Sequence, residues 1–292
     1  MSNQTQSVFS SLRRKLFGEP APKVAVVRLY GMIASGGRFK NNLNLAGVAE
    51  QLEQAFSIRG LSAVALQINS PGGSPVQSAL ILKRIRDLAT EKNVPVLAFA
   101  EDVAASGGYM LAVAGDEIYA NPSSILGSIG VVSSGFGFKG AIEKLGVERR
   151  LYTSGESKAM LDAFQDEKEE DIARLKEIQQ EIHEHFKGLV RERRGKRLKG
   201  LRGKLFSGEV FTGHEAVKLG LIDGIGDIRT VLRSRFGDKV KMRLISEKKP
   251  RLSGLLGLAS QSSAAPAFDM GDIAYGALAA IEERLHWNRY GL

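Results

Sequence analysis

The chain has 292 residues, 43% of them hydrophobic and 25% charged, which is typical of a globular protein with one large core or two small ones. Cysteine is absent, which excludes disulfide bonds and thiolate metal sites, and the four histidines include no zinc-type pair on one helix, so no metal site is expected. The formal net charge is +9, and residues 187–204 hold nine basic residues, one glutamate and no aromatic residue. We expect a solvated loop or a surface for acidic partners there rather than specific nucleic-acid binding.

The N-terminal segment, residues 1–21, contains apolar side chains at helical spacing beside Arg13, Arg14 and Lys15. This pattern is typical of a helix on an anionic membrane surface, and a frayed tail or a helix packed on a partner subunit fits it at least as well. No apolar run approaches the roughly 20 residues that span a bilayer, and no cleavable signal sequence is found. Secretion is therefore not expected.

Strand and helix patterns alternate through the first half of the chain. Short β-branched apolar runs predict strands at residues 24–30, 63–69, 94–100 and 129–133. Helical periodicity predicts helices at residues 44–57, 74–92 and 107–115. This order predicts an α/β fold in which helices cover a parallel sheet.

The second half begins with a long charged segment, residues 166–194, whose apolar side chains recur at helical spacing. One amphipathic helix is predicted, packed on the core or on another subunit. Thr212 and Glu215 then form a capping box that starts a shorter helix. Residues 246–266 are rich in Ser, Gly, Ala and Pro and predict a linker, and a last amphipathic helix is predicted from Asp269 to Trp287.

The stretch INSPGGSP ends the second predicted strand with two glycines, Gly72 and Gly73. It lacks the Gly-Lys-Ser/Thr of a P-loop and the spacing of a dinucleotide fingerprint, so phosphate is not the expected ligand. Adjacent glycines after a strand also present backbone N–H groups that can stabilise the oxyanion of acyl transfer. That interpretation requires a nucleophile elsewhere in the chain.

Two residues are candidates for a nucleophile and its base. Ser106 stands between a strand and a helix among small residues that let a substrate backbone approach, and a helix N-cap explains it equally well. No histidine lies at a strand end, so a Ser-His-Asp triad is not indicated. A lysine can be the base if its surroundings favour the neutral amine. Lys158 lies between small residues and an apolar helical start, although an ordinary surface lysine fits that position too.

Four segments within residues 24–235 together resemble the signal peptide peptidase A (SppA) family of serine-lysine peptidases. They are INSPGGSP, AEDVAASGGYMLAVAGDEIYANPSSILGSIGVV, YTSGESKAMLDAF and GEVFTGHEAVKLGLIDGIGD. The resemblance implies a crotonase/ClpP-like α/β fold, which is a spiral of ββα units with a parallel sheet. The long amphipathic helix would be an addition to this fold. It also implies a serine endopeptidase that needs no cofactor.

The resemblance assigns roles to six residues. They are Ser106 as nucleophile, Lys158 as general base, Ser128 as the hydrogen-bond partner of the lysine, and Gly72, Gly73 and Gly107 around the oxyanion hole, with Gly73 and the Gly107 amide as the donors. Substrates would be short or unfolded peptides such as signal-peptide remnants. Active sites would be shared between subunits of a homo-oligomer.

The same resemblance divides the chain into three parts. Residues 22–245 would form the peptidase domain, preceded by the N-terminal segment and followed by a linker and C-terminal helix at residues 246–292. Many family members carry an N-terminal transmembrane helix, which we do not find in this sequence. We therefore expect a cytoplasmic protein, with peripheral contact to the inner face of the membrane through residues 7–17 as the one route to attachment.

Two functions from other classes compete with the peptidase. A crotonase-type acyl-CoA enzyme would share the fold and an oxyanion hole, but it would not need Ser106 and Lys158 together. A non-catalytic membrane scaffold would use the amphipathic termini and the basic stretch, and it would need none of the glycine, serine and lysine elements. The joint presence of those elements favours the peptidase.

Overall fold

The computed structural model describes residues 20–35, 42–200, 202–246, 284, 285 and 287–291. The amphipathic N-terminal pattern and nearly all of the predicted linker and last helix lie outside these residues. The division of the chain into three parts therefore stays a prediction. Within the described residues, no helix has both the length and the apolar character needed to cross a membrane.

Eight strands form one sheet in the described part of the chain. They are β1 (Lys23–Tyr30), β2 (Leu61–Ser70), β3 (Val96–Ala105), β4 (Glu117–Ala120), β5 (Ile125–Gly127), β6 (Val210–Thr212), β7 (Gly224–Ile225) and β8 (Lys241–Leu244). The order is β6-β5-β3-β2-β1-β8, with β4 beside the first half of β3 and β7 beside β4. Every pair is parallel except β5 with β6, so the predicted α/β fold with a parallel sheet is confirmed.

Three of the four predicted strands are confirmed as β1, β2 and β3, but the strand predicted at residues 129–133 is wrong. The short strand β5 ends at Gly127, and the next residue, Ser128, adopts a positive φ of 50° that is incompatible with continuing the strand. The β-branched residues Val131 and Val132 therefore leave the sheet and line a cavity instead.

The helices are α1 (Leu45–Phe56), α2 (Pro75–Lys92), α3 (Gly107–Ala112), α4 (Lys139–Lys144), α5 (Glu169–Arg194), α6 (Arg202–Leu205), α7 (Gly213–Leu219) and α8 (Ile228–Phe236). The predicted helices of the first half are confirmed as α1, α2 and α3, and the long charged helix as α5. The N-cap half of the predicted capping box is confirmed, because the Thr212 side chain accepts a hydrogen bond from the Glu215 N–H at the start of α7. The Glu215 carboxylate accepts from Lys204 at 2.9 Å.

Apolar side chains of β1, β2 and β3 are buried on both faces of the sheet. Val27 and Leu66 belong to the larger core, which lies under α1, α2, α3 and α5. Val26 and Ala65, one residue earlier on each strand, belong to the smaller core under α8. This alternation follows from the two-residue period of a strand, and burial on both faces is typical of parallel sheets.

Helix α5 packs on the larger core through its C-terminal half, as its amphipathic pattern predicts. Phe186 and Val190 are buried there. Ile182 and Leu189 are half-buried and line a groove between α5 and α2. The N-terminal half of the helix has no buried residue.

The basic stretch at residues 187–204 binds acceptors within this chain. Arg193 donates from Nε to the carbonyl of Val113, at the C-terminal end of α3, at 2.9 Å. The side chain of Arg194 is only 1% exposed and forms a two-pronged ion pair with Asp223, at 2.7 and 3.1 Å. The expectation of a solvated loop is therefore wrong for these arginines, which join α5 to α3 and to the chain before β7.

The ion pair between Arg194 and Asp223 also affects the acidity of the carboxyl. Burial alone raises the pKa of Asp223, but the hydrogen bonds from Arg194 and from the Ile118 N–H outweigh burial and leave the pKa below its ordinary value of 3.8. A carboxyl with a lowered folded-state pKa stabilises the fold at neutral pH, and this contribution is lost as the pH falls through the folded-state pKa.

Asp223→Ala is expected to lower the free energy of unfolding by about 3 kcal/mol, because Arg194 then stays buried without its carboxylate. Urea denaturation at pH 7 measures this difference. Glu177→Ala is the matched control, since it removes an exposed partner of Arg174 and should change stability by less than about 1 kcal/mol. Equal stability of the two variants would show that the buried pair does not hold α5 in place.

Candidate active site

A cavity of about 620 Å³ lies beyond the carboxyl ends of β2, β3 and β5. Gly73 follows β2, Ser106 follows β3 and Ser128 follows β5, and all three line this cavity. The carboxyl ends of parallel strands meet at one edge of a sheet, which is where open α/β sheets commonly bind ligands. The topology therefore brings together residues that are far apart in sequence.

Ser106 has a backbone conformation that few non-glycine residues adopt, with φ 52° and ψ −122°. It directly precedes α3, yet its side chain makes no capping hydrogen bond, so the N-cap interpretation is not supported. Its N–H donates to the Gly127 carbonyl at 2.8 Å. Such strained residues cost roughly 1–3 kcal/mol, persist only where their surroundings fix them, and cluster at functional sites. The strained turn leaves Ser106 half-buried at the cavity.

The glycines of the INSPGGSP turn are required by close backbone contacts. Gly72 has φ +104°, and a Cβ placed on it would lie 2.8 Å from both the Gly107 nitrogen and the Ser106 Cβ. Gly73 has φ +136°, and a Cβ there would lie 2.0 Å from the Ile33 carbonyl oxygen. The glycine turn therefore lies directly against the serine and the first amide of α3, the arrangement that an oxyanion hole needs.

Ser128 lies in the turn after β5 and is almost fully buried, with 6% of its surface exposed. Its N–H donates to the Glu209 carbonyl at 2.7 Å, while the preceding carbonyl, of Gly127, accepts the Ser106 N–H. The turn that carries Ser128 is thus bonded directly to the turn that carries Ser106. Both residues have positive φ angles and face the same cavity.

Lys158 lies apart from these residues. It is exposed, in a short 3₁₀ turn at Glu156–Ala159, and it is not among the described residues that line the cavity. It belongs to residues 131–168, here called the arm, which connect the Ser128 turn to α5. The structure therefore brings five of the six predicted site residues together within one chain and places the sixth outside.

The arm exposes an unusual amount of apolar surface. Phe136 is 69% exposed, Leu145 76% and Tyr152 89%. The ring of Phe138 packs at 5.6 Å from that of Phe164 and at 6.2 Å from that of Phe136, and this aromatic cluster is only partly covered. Apolar surface concentrated in one segment commonly marks an interaction site.

One functional candidate was missed in the sequence. His183, on α5, lines the cavity, and its Nε2 lies 3.0 Å from the carbonyl oxygen of Ile129. The available signal was its position on α5, because His183 shares a helical face with the buried residues Phe186 and Val190. Near the C-terminus, Arg289 and Tyr290 also line the cavity.

Comparison with known proteins identifies the family. The model of the family described as peptidase family S49 matches residues 89–240, about half of the chain. The chain belongs to peptidase family S49. The matched residues include Ser106, Ser128, Lys158 and His183, and the glycine turn precedes them.

Three curated relatives are similar to most of the chain. The Na⁺/H⁺ antiporter NhaA of Brucella abortus (strain 2308) is 53% identical over 273 residues, which is 92% of this chain and 37% of that protein. The putative signal peptide peptidase SppA of Enterococcus faecium is 30% identical over 72% of this chain and 61% of that protein. The putative protease slr0021 of Synechocystis sp. is 32% identical over 82% of this chain and 84% of that protein.

The family S49 match and the Enterococcus and Synechocystis relatives confirm the predicted resemblance to the SppA family, and they support the enzyme class predicted from it, a serine-type peptidase. The chain spans little more than a third of the length of the Brucella antiporter, and about three fifths of the Enterococcus protein. The antiporter name belongs to that longer protein.

Proposed function

We propose that this chain is a serine endopeptidase that cleaves short or unfolded peptides, such as signal-peptide remnants, with Ser106 as nucleophile and Lys158 as general base. One observation carries the proposal: Ser106 is held in a strained turn, with no capping bond, at a cavity that it shares with the glycine turn and Ser128. Membership of family S49 supports the same chemistry.

The reaction would proceed through an acyl-enzyme. Ser106 Oγ attacks the peptide carbonyl carbon while its proton passes to the neutral amine of Lys158. The backbone N–H of Gly107 and the amide at Gly73 stabilise the tetrahedral oxyanion. The lysine then gives the proton to the leaving amine, and the C–N bond breaks. Water attacks the ester carbonyl carbon while one of its protons passes to the lysine. The C–Oγ bond then breaks, the lysine returns the proton to Ser106 Oγ, and the peptide leaves as a carboxylic acid.

Ser128 would orient the amine of Lys158. Ser128 is 6% exposed, and its turn is joined to the Ser106 turn by the hydrogen bond from the Ser106 N–H to the Gly127 carbonyl. A hydroxyl accepts a hydrogen bond from a protonated amine and can donate one to a neutral amine, so it can hold the base through both protonation states. This role requires that Lys158 reach the cavity.

We infer that Lys158 reaches the cavity of a neighbouring copy, so that active sites are shared between subunits of a homo-oligomer. Lys158 is exposed and outside its own cavity, and it lies on the arm together with Phe136, Leu145 and Tyr152. Burial of these side chains against a second copy would stabilise assembly. Assembly would then bring Lys158 to a cavity that no lysine of the described residues lines.

Phe136→Lys is expected to shift the protein toward the monomer and to reduce peptide hydrolysis at least about tenfold, because a charged side chain would replace an apolar contact between subunits. Sedimentation velocity and a fluorogenic peptide assay measure the two effects at matched concentration. Leu244→Lys is the control, since Leu244 is 44% exposed on the edge strand β8, away from the arm. Sedimentation of the wild type as a fully active monomer would rule out shared sites.

A serine-directed fluorophosphonate provides the direct test of the proposed function. The reagent should label the wild-type protein once, and mass mapping should place the label on Ser106. An acyl-CoA enzyme of the crotonase type or a non-catalytic scaffold has no activated serine and should not be labelled there. Labelling at another serine, or no labelling of a folded and assembled protein, would contradict the proposal.

A further inference from the structure

His183 bonds the residue that follows Ser128. Backbone hydrogen bonds hold Gly127 and Ser128 themselves, and the side chain of His183 holds the next residue through the Ile129 carbonyl at 3.0 Å. Ile129 is fully buried, so its carbonyl depends on a donor from the protein or from the cavity. The His183 bond is therefore part of what fixes the Ser128 turn.

The direction of this bond limits what the imidazole can do. A carbonyl oxygen only accepts, so Nε2 of His183 must carry a hydrogen and donate it to Ile129. A nitrogen that already carries and donates a hydrogen cannot take the proton of Ser106. The bond thus makes Nε2 of His183 a fixed donor and leaves Nδ1 as the ring nitrogen that can still accept a hydrogen bond.

Helix α5, which carries His183, is held in place relative to α3, the helix that follows Ser106. Phe186 and Val190, on the same face of α5, are buried in the larger core. Further along, Arg193 donates to the Val113 carbonyl at the end of α3. A donor on a helix packed in this way keeps a nearly constant position, which suits a residue that must hold a strained turn.

We propose that His183 is a positioning residue of the active site. It holds the Ile129 carbonyl and thereby keeps Ser128, at its positive φ of 50°, facing the cavity opposite Ser106. This inference rests on the proposed function, in which the Ser128 hydroxyl orients the amine of Lys158. Loss of the His183 bond lets the turn relax toward ordinary φ values and moves the hydroxyl away from the base.

His183→Phe and His183→Gln form the test. Phenylalanine keeps the ring and removes the donor, while glutamine places an N–H₂ donor at about the reach of Nε2 and does not titrate. With a fluorogenic peptide, His183→Phe should lower kcat by roughly 10-fold to 100-fold with KM changed by less than about threefold, since a displacement near 1 Å has effects of this size. His183→Gln should recover kcat to within about threefold of the wild type.

His185→Phe is the matched control, because His185 is exposed on the same helix and lines the groove toward α2. It should retain wild-type kcat. Three results would overturn the positioning role: an unchanged kcat in His183→Phe, a His183→Gln as slow as His183→Phe, or a loss in His183→Phe fully explained by a lower folded fraction at the assay temperature. Ser106→Ala in the same assay tests the proposed function separately, since its activity would refute the nucleophile whatever the His183 variants show.

Discussion

Ser106→Ala is expected to abolish peptide hydrolysis, with kcat reduced by roughly 10⁴-fold to 10⁶-fold, the range seen when a serine peptidase loses its nucleophile. The side chain supplies the oxygen atom that forms the acyl-enzyme. The fold should be unaffected, because alanine differs from serine only by loss of the hydroxyl, and that hydroxyl makes no capping bond. A fluorogenic peptide assay and the thermal midpoint measure the two properties.

Ser123→Ala provides the control for this experiment. Ser123 is an exposed serine in the loop between β4 and β5 and does not line the Ser106 cavity. Its substitution should leave kcat and fluorophosphonate labelling unchanged. Substantial hydrolysis by purified Ser106→Ala would reject Ser106 as the nucleophile, even if the protein remained a peptidase.

Lys158→Arg is expected to be as damaging as Lys158→Ala, with kcat reduced by at least roughly 10³-fold in both, because activation of the serine depends on its base. Arginine keeps the positive charge and is at least as long as lysine, but it stays protonated and cannot accept a proton from Ser106. The two variants therefore separate a base from a residue that only contributes charge. Lys144→Arg, on the exposed helix α4 of the same arm, should behave as the wild type.

The role of Lys158 also has a consequence for Ser128. Only the unprotonated amine can accept the proton of Ser106, and the Ser128 hydroxyl is proposed to orient that amine. Ser128→Ala should therefore lower kcat in the same peptide assay, since the hydroxyl that orients the amine is lost. An active Lys158→Arg would assign the base to another group.

The parts of the fold that the sequence predicts correctly are those in which local preference and tertiary structure agree. The runs that become β1, β2 and β3 are β-branched and buried on both faces, and the Thr212 side chain accepts the predicted N-cap hydrogen bond from the Glu215 N–H. Residues 129–133 have the same β-branched character and form no strand, because the positive φ of Ser128 turns the chain out of the sheet. Local preference fails at the edge of the candidate site, where such conflicts are common.

The site was predictable to a similar degree. The glycine turn, Ser106 and Ser128 could be named because their residue types and order resemble a family. The strain at Ser106 could not be predicted, because a serine residue does not by itself indicate a positive φ angle. The position of Lys158 on the exposed arm, outside the cavity, has no signal in the residue type. His183 was missed because its partner is a backbone carbonyl, which any residue possesses.

The placement of Lys158 on an exposed arm has a consequence for how activity depends on dilution. If each cavity takes its base from a second copy, the specific activity per chain rises with chain concentration and falls when the assembly dissociates, by mass action. A newly synthesised chain that has not yet assembled with another copy would then have the Ser106 nucleophile but no lysine in position to activate it. Unfolded polypeptides would be spared until enough copies accumulate, so that the concentration of the chain would control proteolysis.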